Sequence, residues 1–156
     1  MASDGLRLIG LWFDGQKYFA DILQRDCKQV DLSVFEQTKC WLDCYFKGGM
    51  PNFVPPLYLQ GSAFRLSVWK ILQQIPYGEV MTYGEIAREL ERKNDMRRVS
   101  AQAVGGAVGH NPISIIVPCH RVVGGNGSLT GYAGGIDKKQ KLLAIEKVNM
   151  EHLFAP

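Results

Sequence analysis

The sequence predicts an α/β chain in two parts, a small strand-and-helix part followed by a larger, mainly helical part built around a helix-turn-helix. Three observations predict it. Strand formers crowd residues 6–13, whereas apolar residues from Phe64 onward recur at helical spacing. Pro55-Pro56 and Gly61 mark a connector between the two, because both residue types interrupt regular structure. Two short helical segments joined by a polar stretch, Glu91–Arg98, suggest the helix-turn-helix. With 156 residues, 46% hydrophobic and 21% charged, the chain can build a core, and neither disorder nor a fibrous repeat is expected. No apolar run is long enough to span a bilayer, and no basic-then-apolar leader is visible. A cytoplasmic protein is therefore expected, with its four cysteines reduced.

Each element has a local reason. Leu6–Phe13, then Asp14-Gly15, then Lys17–Ala20 read as a β-hairpin around a tight turn. Residues 33–47 read as a helix with Ser33 as N-cap and Val34, Cys40, Trp41, Cys44 and Tyr45 near helical spacing. Cys40 and Cys44, four apart, share a face. Core packing is favoured over metal binding, since no histidine stands in this half. Gly48-Gly49-Met50-Pro51 ends that helix. Phe64–Gln74 forms the next one, and Pro76-Tyr77-Gly78 a turn. Thr82 with Glu85 three residues on makes a capping box for the helix beginning at Tyr83.

The helix at about 99–108 is unusual. Projected at 100° per residue, Ala101, Val104, Ala107 and Val108 fall inward, and Gln102, Gly105, Gly106 and Gly109 fall on the opposite side. A glycine inside a helix costs about 1 kcal/mol relative to alanine. A face this bare serves close approach, either of a neighbouring strand or of DNA, and the pattern alone leaves both open. The charge balance leans the same way without deciding: residues 61–156 carry twelve Lys or Arg against eight Asp or Glu.

Downstream, the apolar run 113–117 reads as a buried strand that Pro118 ends, presenting Cys119. His120 and Arg121 follow at once. A thiol attacks as thiolate, and neighbouring imidazole or guanidinium favours that form. A Cys-His pair alone is weak, because strand neighbours point to opposite faces, and a structural cysteine is the competing reading.

The wider context resolves this by resemblance. Pro118-Cys119-His120-Arg121-Val122-Val123, preceded by Asn111-Pro112 and followed by Gly131-Tyr132-Ala133-Gly134-Gly135, resembles the O6-alkylguanine-DNA alkyltransferases, the methylated-DNA–protein-cysteine methyltransferases. Pro76-Tyr77-Gly78-Glu79, Thr82–Ala87, Ala103-Val104-Gly105, Lys139 and Leu142–Glu146 extend the likeness over residues 61–147, and Ile9–Phe13 shares it. The resemblance implies an RNase H-like α/β domain over residues 1–58, shortened by a first strand, and a winged-helix-like DNA-binding domain over residues 62–151. It implies irreversible, stoichiometric transfer of the alkyl group from O6 of guanine, and of O4 of thymine, to Cys119. His120 would act as base through a water, Glu146 would orient His120, Tyr83 would assist the leaving guanine, and Asn111 would brace the loops. Gln102, Ala103, Gly105, Gly106, Tyr132, Ala133 and Lys139 would meet DNA or the alkylated base. Arg121 is grouped with them by its motif, its role read as structural.

Such a protein flips the nucleotide out through the minor groove, at a cost of a few kcal/mol that a poorly paired base lowers. The implied partner is double-stranded DNA carrying O6-alkylguanine, met by a monomer. No cofactor and no metal are implied, since histidine activates the nucleophile. His110 and His152 have no evident partners, and a solvated loop is expected for His110. Lys138 and Lys141 read as a solvated face. Many relatives place arginine where Gln102 stands, which predicts weaker DNA affinity than arginine would give. The competing function is an alkyltransferase-like protein that binds alkylated DNA without reacting. Such relatives usually lack the cysteine.

Overall fold

The computed structural model describes residues 1–23, 26–94 and 98–155. Residues 95–97 of the expected polar turn lie outside them. The described elements are strand β1 (Ala2–Ser3), strand β2 (Leu8–Gly10), helix α1 (Ser33–Phe46), helix α2 (Ala63–Leu72), strand β3 (Met81–Thr82), helix α3 (Tyr83–Asn94), helix α4 (Ala101–Gly109), a 3₁₀ turn (Cys119–Arg121), strand β4 (Val122–Val123) and helix α5 (Ile136–Ile145). The chain is thus mixed α/β, with helices dominating its second part.

The expected hairpin does not form. β2 pairs antiparallel with β1, in the register Ala2 to Gly10 and Ser3 to Leu8, so the residues ahead of the apolar segment supply its strand neighbour. Residues 17–20 fold into turns instead, with Tyr18 and Ala20 at positive φ. The other edge of β2 meets the connector: Leu8 N donates to Pro56 O at 2.7 Å and Tyr58 N to Leu8 O at 2.9 Å. Just beyond β2, Leu11 N donates to Pro112 O and Ser114 N to Leu11 O, both at 2.8 Å. The Leu8–Leu11 strip therefore stitches the first part to the connector and to the segment before Cys119.

α1 has the predicted span, but Leu32 rather than Ser33 is its N-cap, and no side chain caps it. Val34, Thr38, Trp41 and Tyr45 form its buried face, while Cys40 is exposed and Cys44 half-buried. Packing by the thiols is thus overturned for Cys40, because the aromatic pair Trp41 and Tyr45 takes the inward stripe. Gly48, at φ +78°, ends the helix as its glycine suggested.

α2, α3 and α4 pack on one another. Ser62 caps α2 by accepting from Arg65 N at 3.3 Å. The Thr82–Glu85 box closes in both directions: Thr82 Oγ1 accepts from Glu85 N and Glu85 Oε2 accepts from Thr82 N. Ser100 caps α4, accepting from Ala103 N at 3.1 Å. Trp69 Nε1, fully buried in α2, donates to Ala107 O at 2.9 Å and fastens α4 to the core. β3 and β4 pair in parallel, Met81 with Val122 and Thr82 with Val123, which anchors the chain leaving the 3₁₀ turn.

The main core runs across the connector. Leu8, Leu11, Val34, Trp41 and Tyr45 pack in one cluster with Trp69, Leu72, Ile86, Val104, Ile113 and Val117. Burying such side chains contributes roughly 1.5–3 kcal/mol each. The first part is therefore held by apolar contact with the second as well as by its own few hydrogen bonds. Among the described residues, no helix is long and apolar enough to cross a membrane.

Candidate active site

The apolar run 113–117 is not a strand. It is a buried turn held from inside by Asn111, whose Oδ1 accepts from Ile113 N at 3.0 Å and whose Nδ2 donates to Ile113 O (3.2 Å) and Val117 O (2.8 Å). A side-chain amide that captures these groups competes with a strand ladder, and Pro112 and Pro118 deny N–H donors at both ends. Ile115 is pulled to φ +69°, an uncommon conformation for a β-branched residue. The same Nδ2 also lies 3.0 Å from Cys119 Sγ, so one amide fixes both the turn and the sulfur.

Cys119 and His120 then occupy a 3₁₀ turn, which brings the dipeptide together as an extended strand would not. Both are buried. Burial pushes the Cys119 thiol up from its ordinary value, opposed by the Asn111 hydrogen bond and the Lys139 charge. The thiol needs a base. Burial likewise lowers the His120 pKa, against the pull of Glu146, so the imidazole is kept neutral.

Glu146, the C-cap of α5, lies with its Oε1 2.6 Å from His120 Nε2. Arg121 Nε donates to Oε2 at 2.8 Å and Arg121 Nη2 to Oε1 at 3.0 Å. The backbone N of Gly78, at φ +82°, donates to Oε2 at 3.1 Å, which explains the Pro-Tyr-Gly turn. Burial alone would raise the Glu146 pKa, but its bonds to His120 and Arg121 outweigh that and hold it at about 2. An ionised carboxylate only accepts, so His120 Nε2 carries the ring proton and Nδ1 carries the lone pair. His120 Nδ1 is buried and has no hydrogen-bond partner among the described residues, which leaves it available as the base.

Arg121 has the structural role read for it and not the DNA contact its motif grouped it with. Its guanidinium turns inward, to Glu146 and to Ile75 O at 2.6 Å, because the buried carboxylate needs a counter-charge. Lys139 is fully buried, and its Nζ donates to Val122 O and Thr130 O. Burial lowers its pKa to about 8, with the Cys119 charge opposing. Tyr83 donates to Thr130 O at 3.1 Å, and burial, with the Cys119 charge second, pushes its pKa up to about 12. The Tyr132 hydroxyl is buried without a hydrogen-bond partner among the described residues.

One residue of this network was not legible as functional. Tyr45 reads from sequence as another apolar position of α1, yet its hydroxyl donates to Glu146 Oε1 at 2.7 Å and lies 3.3 Å from His120 Nε2. A contact 101 positions apart leaves no local signal.

The bare helix face opens onto a groove of about 540 Å³, lined by Gly105, Gly106 and Gly109 on one side and Thr130–Ala133, Gly135 and Ile136 on the other. Lys17 and Tyr18 close its end, a contribution from the first part that sequence reasoning missed. A Cβ added at Gly106 or Gly109 would meet nothing within 4 Å, and one at Gly105 only ordinary contact with Tyr83. Internal packing therefore does not account for these glycines. Gln102 and Ala103 are exposed on α4, and so is Ala101, which had been placed inward. His110, expected in a solvated loop, is the C-cap of α4 and stacks on Tyr18 at 3.9 Å between ring centroids. Among the described residues, no group of three or more His, Cys, Asp or Glu could hold a metal ion.

A family model described as 6-O-methylguanine DNA methyltransferase, DNA binding domain, matches residues 63–148. The methylated-DNA–protein-cysteine methyltransferase of Haemophilus influenzae is 40% identical over 147 residues, 94% of this chain and 78% of that protein. The Mycolicibacterium paratuberculosis protein of the same name is 53% identical over 106 residues, 68% of this chain but only 61% of its own length. The crystal structure of Mycobacterium tuberculosis OGT in complex with DNA superposes with a TM-score of 0.79 at 43% identity, over 94% of this chain and 84% of that one. With the matched region spanning α2 to the end of α5, and likeness running on through the first part, this chain belongs to the methylated-DNA–protein-cysteine methyltransferase family.

Proposed function

We propose that this protein repairs alkylated DNA by moving the alkyl group from O6 of guanine, and from O4 of thymine, onto Cys119. The observation that supports it most is the buried Cys119–His120–Glu146 arrangement, with Nδ1 of His120 left as an unpaired base. His120 takes the thiol proton through a bridging water, and Glu146 stabilises the imidazolium. Cys119 Sγ then attacks the alkyl carbon, the C–O6 bond breaks, and the bond pair leaves with the guanine. Tyr83 hydrogen-bonds the departing base, whose protonation makes it a better leaving group. Lys139 favours the thiolate by charge. The thioether formed is not hydrolysed, so each molecule acts once.

DNA enters over the glycine face of α4, and Gln102 fills the gap left by the flipped nucleotide. The groove beside Gly105 and Gly106 admits that nucleotide, with Tyr132 and Ala133 on its far wall. The same reading divides the chain into an RNase H-like domain over residues 1–58 and a winged-helix-like domain over residues 62–151, working as a monomer in the cytoplasm.

Intact mass after incubation with duplex DNA holding one O6-methylguanine tests it, beside a Cys119→Ser control. The expected result is a gain of one CH₂, mapped to Cys119 and saturating at one per protein. Tight binding to the lesion with no mass change would leave a lesion-recognition protein in its place.

A further inference from the structure

The first part of the chain reaches the Glu146–His120 pair through the Tyr45 hydroxyl. Tyr45 is fully buried on α1, its ring stacked on Trp41 at 5.3 Å and edge-on to Tyr77 and His120 at 6.1 and 6.4 Å. Its hydroxyl donates to Glu146 Oε1 at 2.7 Å, the shorter of its two contacts, the other being His120 Nε2 at 3.3 Å. Oε1 is also the oxygen that faces His120 Nε2. Three donors thus converge on one oxygen, from Tyr45, His120 and Arg121 Nη2. Glu146 Oε2 is held separately, by Arg121 Nε and Gly78 N.

We infer that Tyr45 is a positioning residue for the transfer, holding Glu146 Oε1 on His120 Nε2 and limiting how strongly that oxygen makes His120 basic. The inference rests on the function proposed above. Its physical content is a sharing of charge. Each donor on Oε1 withdraws negative charge from it, and the charge that remains is what stabilises an imidazolium. Without the Tyr45 hydroxyl, Oε1 keeps more charge for His120 but loses a restraint on its position. His120 then holds a proton up to a higher pH, and a protonated His120 cannot accept one from Cys119. Among the described residues, the other groups facing this pair and Tyr45 are Arg121 beside it, Lys139 on α5, the Cys119 thiol, Tyr77 on the turn after α2, with Cys44 of α1 behind it, and Tyr132.

Single-turnover transfer is measured against pH at saturating DNA, with DNA affinity measured separately, for two variants. Tyr45→Phe keeps the ring and removes the donor. It should transfer about tenfold more slowly, the equivalent of one hydrogen bond to a charged group, with unchanged affinity and the acid limb of its profile moved to higher pH. Replacing Tyr45 with 3-fluorotyrosine keeps the hydroxyl and makes it a stronger donor, so the acid limb should move to lower pH. This variant also decides the matter if the Phe variant does not fold. Limbs that stay in place, or that move the same way in both variants, would overturn the inference, since a merely structural tyrosine predicts that. A wild-type protein that transfers nothing would overturn the proposed function instead.

Discussion

Asn111 shows how much one side chain does here. Its amide satisfies the backbone of a buried turn, holds Ile115 in a strained conformation and touches the sulfur of Cys119. Leaving buried backbone groups unpaired costs about 1–3 kcal/mol each. Asn111→Ala should therefore lower stability by about 3 kcal/mol in denaturant unfolding and abolish detectable transfer to Cys119. A variant that stays stable but still transfers slowly would show that the turn is held mainly by its prolines. At this scale the sequence was readable where chemistry is local. The Thr82–Glu85 box follows from neighbours in the chain, whereas Cys119 and His120 were singled out only by the wider resemblance. The structural role of Arg121 was legible but its partner was not, because Glu146 lies 25 positions away and the neighbours of Arg121 say nothing of direction.

At the scale of elements, α4 carries the argument. Its inward stripe of Val104, Ala107 and Val108 and its bare opposite face both follow from 3.6-residue periodicity, and the structure agrees on all but Ala101. The N-terminal hairpin and the strand at 113–117 failed for one shared reason. Both rested on strand-forming composition, and both were overridden by specific hydrogen-bond partners that composition does not reveal: β1 and the connector for β2, and the nearby Asn111 amide for the turn. The open glycine face gives a sharp expectation. Gly106→Ala adds a methyl group that meets nothing in the protein. It should raise unfolding stability by about 1 kcal/mol through helix propensity, yet weaken binding to duplex DNA in a titration at fixed salt. Unchanged affinity would mean that DNA does not approach α4 on this side.

For the whole molecule, the buried charges set an acid limit on stability. His120 is kept neutral by burial, whereas in the unfolded chain it takes a proton below its ordinary value of 6.5. Stability therefore begins to fall as pH drops below about 6.5. Glu146 has the depressed pKa, about 2 against an ordinary 4.5, so its contribution is complete above 4.5 and is lost as pH falls toward 2. Thermal midpoints recorded from pH 7.5 to 3 should decline below 6.5 and steepen below 4.5. A flat profile down to pH 4 would show that the pair is not held as described. Tyr45 and Glu146 have a consequence in time as well as in space. The two residues are 101 positions apart, which at about 5–20 residues per second is roughly 5–20 s of synthesis. During that interval Trp41 and Tyr45 have emerged with the apolar face of α1 uncovered, and the network around His120 cannot close. The nascent chain is thus most exposed to aggregation between the synthesis of α1 and that of the elements that cover it, and the network around His120 closes only once Glu146 has been made.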